Sequence, residues 1–168
     1  MALLERKDGG AVEIEDRFTR VEDDAALPSS GGVIVSLPRF EQEREALLAR
    51  SGELGVWLAS NESPKAIGGD LDRIAVVALD FPVFSDGRAF TSARLLRERY
   101  GYAGEVRAIG DVLLEQLSFM VRSGFSTFEV RDPKALAEFE RVVGEVRVVY
   151  QPTGDGRTTA LQRRLGRG

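Results

Sequence analysis

A polar segment, Asp86-Gly87-Arg88, follows an apolar run and precedes a helix that we predict to begin at Thr91. Asp-Gly is a turn-forming pair, and Thr91 or Ser92 can cap the helix, whose first free N–H groups attract an anion. The Arg88 guanidinium can add two parallel hydrogen bonds to a sulfate, phosphate or carboxylate group. The segment therefore predicts a small-anion site. The alternative is structural: Asp86 makes the turn, and Arg88 pairs with a neighbouring carboxylate.

A second arginine, Arg107, lies inside a predicted strand from Glu105 to Ile109. A buried guanidinium is costly unless it meets an anion or a carboxylate. Because this strand comes next along the chain, an anion-binding Arg107 would point toward the same end of the fold as the first segment. The alternative is an edge strand, on which Arg107 faces solvent or pairs with Glu105 or Glu115. With Gln116 orienting the ligand, the expected anion site comprises Asp86, Gly87, Arg88, Thr91, Ser92, Arg107 and Gln116.

Carboxylates also follow the predicted strands, namely Glu62, Asp80, Asp86, Asp111 and Asp132. Oxygen ligands of this kind suit magnesium. Asp111 and Asp132 are equally explained as helix N-caps, and Asp132 precedes a proline in the favoured first helical position. We therefore expect no metal site, and we keep Asp80, Asp86 and Asp111 as the only candidates for metal ligands or acid–base groups.

The composition excludes several kinds of chemistry. The chain has no cysteine and no histidine, which rules out disulfides, thiolate nucleophiles, zinc ribbons and a Ser-His-Asp arrangement within it. No P-loop and no G-x-G-x-x-G after a strand occurs, so we expect no bound nucleotide cofactor. Chemistry is left to carboxylates, Lys, Arg, Tyr, Ser and Thr.

Length and charge point to one ordinary acidic domain. The chain has 168 residues and a formal net charge of -4, which argues against broad nucleic-acid binding. The longest dense apolar run, Ile74 to Leu79, is far too short to span a bilayer, and no targeting segment is visible. The expected location is the cytoplasm, without membrane attachment.

Short apolar runs alternate with amphipathic ones after Val33, which predicts repeated βα units. We divide the chain into an N-terminal hairpin and linker at 1–32, an α/β domain at 33–150 and a disordered tail at 151–168. The predicted strands are Val33–Leu37, Leu54–Ser60, Arg73–Phe81, Glu105–Ile109, Phe125–Val130 and Val146–Tyr150. The predicted helices are Arg39–Arg50, Pro64–Leu71, Thr91–Tyr100, Asp111–Arg122 and Pro133–Val143.

These units predict a mainly parallel sheet flanked by helices. An open three-layer sheet is the first choice, and a partial or half TIM-like barrel is the alternative, because the units are too few for eight βα repeats. Either architecture places function at the carboxyl ends of the strands.

The run from Phe81 to Phe125 resembles a bacterial family of unknown function whose genes commonly lie beside sulfite reductase and other sulfate-assimilation genes. Its members are often labelled oxidoreductases of sulfite reduction. The similarity extends from Asp16-Arg17-Phe18 through Leu54-Gly55-Val56 to Phe128. The matching positions are Phe81, Pro82, Phe84, Asp86, Gly87, Arg88, Ser92, Ala93, Leu96, Arg97, Gly101, Tyr102, Gly104, Arg107, Ala108, Gly110, Asp111, Leu113, Gln116, Gly124 and Phe125.

Two positions depart from the family pattern. Glu115 stands where the pattern has aspartate, and Ser123 stands where it has cysteine. A family mechanism that used this thiol could not operate in the present chain. Since the chain also lacks a dinucleotide fingerprint, it is poorly equipped to transfer electrons by itself.

The resemblance implies a role in sulfur assimilation, and three functions remain open. The first is an accessory protein of sulfate or sulfite reduction that binds a small anion or sulfur compound at the Asp86-Gly87-Arg88 loop. The second is a small carboxylate-dependent enzyme, with or without magnesium. The third is a non-catalytic partner of sulfite reductase, or of another sulfate-assimilation enzyme, that binds through apolar surface and the N-terminal hairpin.

Overall fold

A computed structural model describes residues 1–7, 10–132, 134–144 and 164. The strands are β1 Ala2–Lys7, β2 Gly10–Ile14, β3 Phe18–Arg20, β4 Gly32–Ser36, β5 Leu54–Leu58, β6 Val76–Phe81, β7 Glu105–Gly110 and β8 Thr127–Val130. The helices are α1 Leu37–Gln42, α2 Arg44–Ala49, α3 Arg88–Arg94, α4 Leu117–Ser123 and α5 Ala135–Gly144. Short 3-10 turns cover Pro64–Ile67 and Leu114–Gln116, and a π-helical segment, Leu95–Arg99, continues α3.

All eight strands form one sheet in the order β2-β1-β8-β7-β6-β5-β4-β3. The strands from β3 to β8 are parallel and adjacent in chain order. The hairpin predicted within residues 1–32 is confirmed, because β1 pairs with β2 in antiparallel fashion. β1 also pairs with β8, so the hairpin extends the main sheet.

The parallel strands advance in one direction, and right-handed crossovers then place the connecting helices on one face. The large core cluster bears this out, because it joins Val33, Val77 and Val106 of the sheet to Phe40 of α1 and Leu96 of the π-helical segment. The predicted α/β class is confirmed, whereas the three-layer sheet is wrong: the described helices cover a single face. The curled, mixed sheet forms a half-barrel, which is the alternative architecture.

The other, concave face carries alternate residues of the same strands. Phe18 of β3, Ile34 of β4 and Val76 of β6 form a separate apolar cluster there. Gly55 of β5 makes room for it, since a Cβ at this position would lie 2.8 Å from the Ile34 side chain. The adjoining side chain on β5 is the half-buried Trp57, which packs against this cluster. Apolar side chains thus fill the concave face around Phe18, Ile34 and Val76.

Ion pairs draw the two ends of the parallel sheet together. Four strands separate β3 from β8, yet Arg20 of β3 donates a hydrogen bond of 3.0 Å to the Glu129 carboxylate of β8. Asp16, just before β3, lies 2.7 Å from Nη1 of Arg107 on β7. Because neither pair involves neighbouring strands, these side chains close the mouth of the half-barrel across its concave face. We call this set, Asp16, Arg20, Glu105, Arg107 and Glu129, the seam.

Arg107 is the centre of the seam and is only 1% exposed. Its Nε donates to Glu105 at 2.8 Å, and its Nη1 lies 3.8 Å from Glu129. Its guanidinium also stacks 5.6 Å from the ring of Phe18. Burial lowers the pKa of Arg107, but the hydrogen bonds and charges of Asp16 and Glu105 outweigh burial, so the pKa is raised overall. Of the two alternatives for Arg107, the structure shows pairing with Glu105, on a central strand rather than on an edge.

Several predicted elements differ in extent. The helix predicted at Arg39–Arg50 is divided at Glu43 into α1 and α2. The region predicted as helix Asp111–Arg122 contains a 3-10 turn followed by α4, and Asp111 is not its cap. Asp132 does bond to the N–H of Lys134, in a capping contact just before α5. The strand predicted at Val146–Tyr150 and the tail at 151–168 lie outside the described residues, apart from residue 164. No helix in the described ranges is long and apolar enough to cross a membrane.

Removal of the Arg107 guanidinium tests the seam. The Arg107→Ala variant leaves Asp16, Glu105 and Glu129 without their shared cation, and we expect a loss of about 3–5 kcal/mol in the free energy of unfolding. Urea unfolding at neutral pH measures this loss. The control is Arg94→Ala, which breaks an exposed pair with Glu98 and should cost less than about 1 kcal/mol. Equal losses in the two variants would contradict a stabilising seam.

Candidate functional site

A cleft of about 430 Å³ opens on the concave face, beside the carboxyl ends of the parallel strands. It is lined by Arg20, Val21, Glu22, Asp23, Asp24, Trp57, Asp80 and Ile109. In barrels of βα units, this end of the sheet is where ligands and reactive groups gather. The lining combines one cation, one half-buried carboxyl group, three exposed carboxylates and three apolar side chains, which suits a small polar ligand.

Asp80 lies one residue before the end of β6 and faces the cleft. It is paired in register with Ile109 of β7. Gly110 allows the close approach, since a Cβ there would lie 2.5 Å from Oδ1 of Asp80, and its φ of +88° is readily adopted only by glycine. The Asp80 carboxylate accepts no hydrogen bond from any described residue. It is therefore a half-buried carboxyl group with open acceptor positions.

The environment of Asp80 raises the pKa of its carboxyl group. Burial is the largest cause, the positive charge of Arg20 opposes it, and the negative charge of Asp86 adds to it. A carboxyl group with a raised pKa can exchange a proton closer to neutral pH than an ordinary aspartate. Its chemistry fits a proton donor or acceptor.

Arg20 supplies the positive charge of the cleft. Its side chain is 44% exposed, and only its Nη2 is engaged, by Glu129 at 3.0 and 3.3 Å. Its Nε and Nη1 have no partner among the described residues, so they present free donors. Arg20 also borders a second cavity of about 280 Å³ together with Asp16, Arg107 and Glu129. One guanidinium thus belongs both to the seam and to the cleft.

Acidic side chains form the outer rim of the cleft. Glu22, Asp23 and Asp24 are exposed and follow β3 directly. Asp23 is anchored, because it accepts a 2.6 Å hydrogen bond from the Ser36 hydroxyl at the start of α1. Ser36 also accepts from the N–H of Arg39 and so caps that helix. Since the rim carboxylates are in solvent, their charge is screened more strongly than that of Asp80.

The segment Asp86-Gly87-Arg88 lies on the loop after β6, and its arginine is already paired. Arg88 donates to the Asp86 carboxylate from Nε at 2.9 Å and from Nη2 at 2.6 Å, and Nη2 also donates to the Ser60 hydroxyl at 2.8 Å. The hydrogen bonds from Arg88, and then Ser60, hold the pKa of Asp86 far below its usual range. An anion at this loop would meet the Asp86 carboxylate as well as the guanidinium.

Thr91 and Ser92 are not helix caps. Helix α3 begins at Arg88, three residues earlier than predicted, with Gly87 in the capping position. Thr91 and Ser92 therefore lie inside the helix, where Ser92 is buried and Thr91 is exposed. The early start arises because the Asp86 carboxylate accepts the N–H of Arg88 and turns the chain into the helix.

Asp111 and Gln116 both hold the loop that follows β6. The Asp111 carboxylate accepts the Phe84 N–H at 2.9 Å, and the Gln116 amide donates to the Phe84 carbonyl at 2.6 Å. Gln116 is thus engaged by the backbone of this loop.

The residues of the expected anion site occupy separate environments. Arg107 is sealed in the seam, Arg88 is paired with Asp86, and Gln116 binds the loop backbone. Binding of an anion by these residues stays a prediction. Sequence reasoning missed Arg20 and Trp57. No local pattern signalled Arg20, because its contact with Glu129 of β8 joins residues that are far apart in the chain.

The three candidate metal ligands also have different surroundings. Asp86 faces Arg88 and Ser60, Asp111 faces the Phe84 N–H, and Asp80 faces the cleft. Within the part of the chain that the structure describes, no three His, Cys, Asp or Glu side chains are grouped so as to hold a metal ion. Asp80 therefore enters the site as an individual carboxyl group.

Comparison with known proteins identifies a family. Residues 55–161 match the family described as bacterial protein of unknown function (DUF934), and the match spans more than half of the chain. The chain belongs to this family. No curated protein and no solved structure matches it.

Substitution of Asp80 tests its raised pKa. For an acid whose pKa is raised on folding, the folded state binds more protons between the unfolded and the folded pKa, so stability falls as pH rises through that window. Asp80→Asn should therefore be more stable than the wild type at neutral pH and show no such gain below the unfolded pKa of about 4. Thermal unfolding from pH 3 to 8 gives the comparison. A variant that is less stable than the wild type at neutral pH would contradict the assignment.

Removal of the Arg88 guanidinium tests the loop pair. In Arg88→Ala, the pKa of Asp86 should rise toward the ordinary aspartate value, because the hydrogen bonds that favour its charged form are lost. Carbon-13 NMR titration of the Asp86 carboxyl group measures the change. Arg94→Ala is the control, since Arg94 pairs with Glu98 and should leave Asp86 unchanged. An unchanged Asp86 titration in Arg88→Ala would show that the pair does not form.

Proposed function

We propose that this member of the DUF934 family binds a small oxyanion in the cleft at Arg20 and Asp80, and that it serves sulfite reduction as an accessory protein. The observation that carries the proposal is the pairing of free guanidinium donors with a carboxyl group of raised pKa in one cleft. Guanidinium groups bind oxyanions through directed hydrogen bonds. A protonated Asp80 would add an O–H donor to the same ligand.

An anion beside Arg20 requires Asp80 to be protonated, because the exposed carboxylates of the rim already oppose a negative ligand. Burial already favours the neutral form of Asp80, and a bound anion would favour it further. The exposed acids of the rim line the same cleft, so water weakens their repulsion of an anion, but salt screening over a Debye length of about 8 Å does not remove it. Ligand uptake should therefore be accompanied by protonation of Asp80.

Arg20 is a better anchor than Arg88 for this ligand. Both guanidinium groups are near the carboxyl ends of strands, but Arg88 has two hydrogen bonds to the Asp86 carboxylate. Arg20 shares only Nη2 with Glu129 and keeps Nε and Nη1 available within the described structure. The sulfur oxyanions are the ligand class of choice because of the sulfur-assimilation context implied by the family resemblance.

A second candidate, a carboxylate-dependent enzyme, is favoured by the raised pKa of Asp80 alone. Active sites commonly hold acids whose pKa is raised by burial. In such an enzyme, Asp80 would transfer the proton and Arg20 would hold the charge of the substrate. The two candidates share a site, and they differ in whether a bound compound is converted.

Ligand titration tests the site that the two candidates share. Sulfite, sulfate, phosphate and the cation spermidine are titrated by calorimetry into the wild type, Arg20→Ala, Asp80→Asn and Arg88→Ala. We expect sulfite to bind the wild type and to bind Arg20→Ala about 10- to 100-fold more weakly, as for loss of a charged hydrogen bond. Asp80→Asn should retain binding, because its amide still donates, and proton uptake on binding should disappear.

A structural control separates binding from the seam. Glu129→Gln weakens the Arg20–Glu129 pair but keeps the guanidinium, so it should still bind sulfite. If Arg20→Ala bound sulfite as tightly as the wild type does, the cleft assignment would be overturned. If only Arg88→Ala lost binding, the site would instead lie at the Asp86-Gly87-Arg88 loop. Preference for spermidine would overturn the oxyanion class. Unimpaired growth of an Arg20→Ala strain on sulfate as the sole sulfur source would overturn the accessory role.

A further inference from the structure

The loop that follows β6 carries two large apolar side chains in solvent. Val83 is 52% exposed and Phe84 is 58% exposed, and they are adjacent in the chain. Single exposed apolar residues are common and need no explanation. Val83 and Phe84, which we call the apolar tip, are adjacent on one loop and are therefore a candidate contact surface.

Polar contacts hold the apolar tip in one conformation. The Phe84 N–H and carbonyl are both bonded, to Asp111 at 2.9 Å and to Gln116 at 2.6 Å. The Asp86 N–H donates to the Val83 carbonyl at 2.9 Å and closes a turn. Asp86 itself is fixed by Arg88. The loop backbone that carries the two apolar side chains is thus preorganised. Preorganisation lowers the conformational entropy that is lost on binding.

Aromatic side chains behind the tip connect the core to a further exposed ring. Phe90 packs on the buried Phe81 at 5.1 Å between ring centroids and on Phe119 at 4.6 Å. Phe119 is 45% exposed and lies three residues after Gln116, which places it about one helical turn from the residue that holds Phe84. The loop with the apolar tip therefore leaves the sheet at Phe81, which belongs to a packed aromatic cluster.

The charges near the tip are predominantly negative. Asp86 and Asp111 bond to the backbone of Val83 and Phe84, and the exposed Glu115 precedes Gln116, which also holds Phe84. Arg88 is the cation beside them, and its charge is matched by Asp86 at 2.6 Å. A binding surface with an apolar centre and acidic surroundings fits a partner with the opposite charge.

We propose that the apolar tip docks into an apolar pocket on a protein partner, and that lysine and arginine side chains border this pocket. Phe84 is the anchor, Val83 fills the adjoining space, and the surrounding carboxylates select a basic surface. A second copy of the chain is disfavoured as the occupant, because it would bring acids of the same kind against these acids. This interaction is separate from ligand binding in the cleft.

Site-specific photocrosslinking tests the docking surface. A benzoylphenylalanine placed at position 84 is compared in the native host with the same probe at position 12, where Val12 is 41% exposed on β2. We expect one protein to be captured at position 84 and not at position 12. That protein is then identified, purified and titrated against the unmodified chain at two salt concentrations.

The titration decides the proposal. Phe84→Ser should bind the purified partner at least about 10-fold more weakly, as expected for an aromatic hot spot. Phe84→Leu should recover part of the affinity, and Leu136→Ser, which removes an apolar side chain of 41% exposure on α5, should bind normally. Added salt should weaken binding, because the surrounding charges contribute to it.

Three results would overturn the proposal. The probe at position 84 captures no more protein than the probe at position 12, or Phe84→Ser binds as tightly as the wild type. Alternatively, the captured protein is a second copy of this chain, which sedimentation of the wild type and Phe84→Ser would confirm. Since Phe84 is exposed, Phe84→Ser should keep the wild-type melting temperature, and this check ensures that the lost affinity reflects the contact.

Discussion

The buried charge of Arg107 is the constraint on which the rest of the half-barrel depends. A guanidinium that is 1% exposed requires carboxylates in contact with it, and they come from three places in the chain: Asp16 before β3, Glu105 on β7 and Glu129 on β8. Only a strongly curled sheet brings these positions together, because β4, β5 and β6 separate β3 from β7. The ion pairs of Arg107 therefore depend on the curvature of the sheet. Without this curvature, the buried guanidinium would lose the carboxylate of Asp16.

The same constraint determines the chemistry of the cleft. Glu129 contacts Arg107 at 3.8 Å and Arg20 at 3.0 Å, so one carboxylate is shared by two cations. Since this sharing engages only one nitrogen of Arg20, the guanidinium has donors left for the cleft. Asp80 lies on the same concave face, but no described residue donates to it, and burial raises its pKa. Arg107 is satisfied within the seam, whereas Arg20 and Asp80 at the cleft have polar atoms without a partner among the described residues. Such atoms are the ones to which a ligand can bond.

The sequence predicts local features of this protein better than its long-range ones. The apolar run at Ile74–Leu79 lies in the predicted strand Arg73–Phe81, where the structure has β6, and the hairpin predicted within residues 1–32 is formed by β1 and β2. The curl of the sheet was not predictable in this way, because the pairing of Arg20 with Glu129 joins residues 109 positions apart. Thr91 was misassigned as a cap for a local reason: the Asp86 carboxylate can start a helix at Arg88, and the tripeptide pattern does not rank the two possible starts.

Residues that resemble functional groups in the sequence can be structural in the fold. Asp111 and Gln116 have the side chains of a ligand-binding pair, yet both bind the backbone of Phe84. Arg88 has the side chain of an anion-binding residue, yet two of its nitrogens bond to Asp86. What these contacts produce is a fixed loop with Val83 and Phe84 outside it. A polar network is stabilising when its members satisfy one another, so function is better sought among the groups that such a network leaves exposed or unpaired. By that criterion the nitrogens of Arg20 without a described partner, the carboxyl group of Asp80 and the ring of Phe84 are the groups on which our proposals rest.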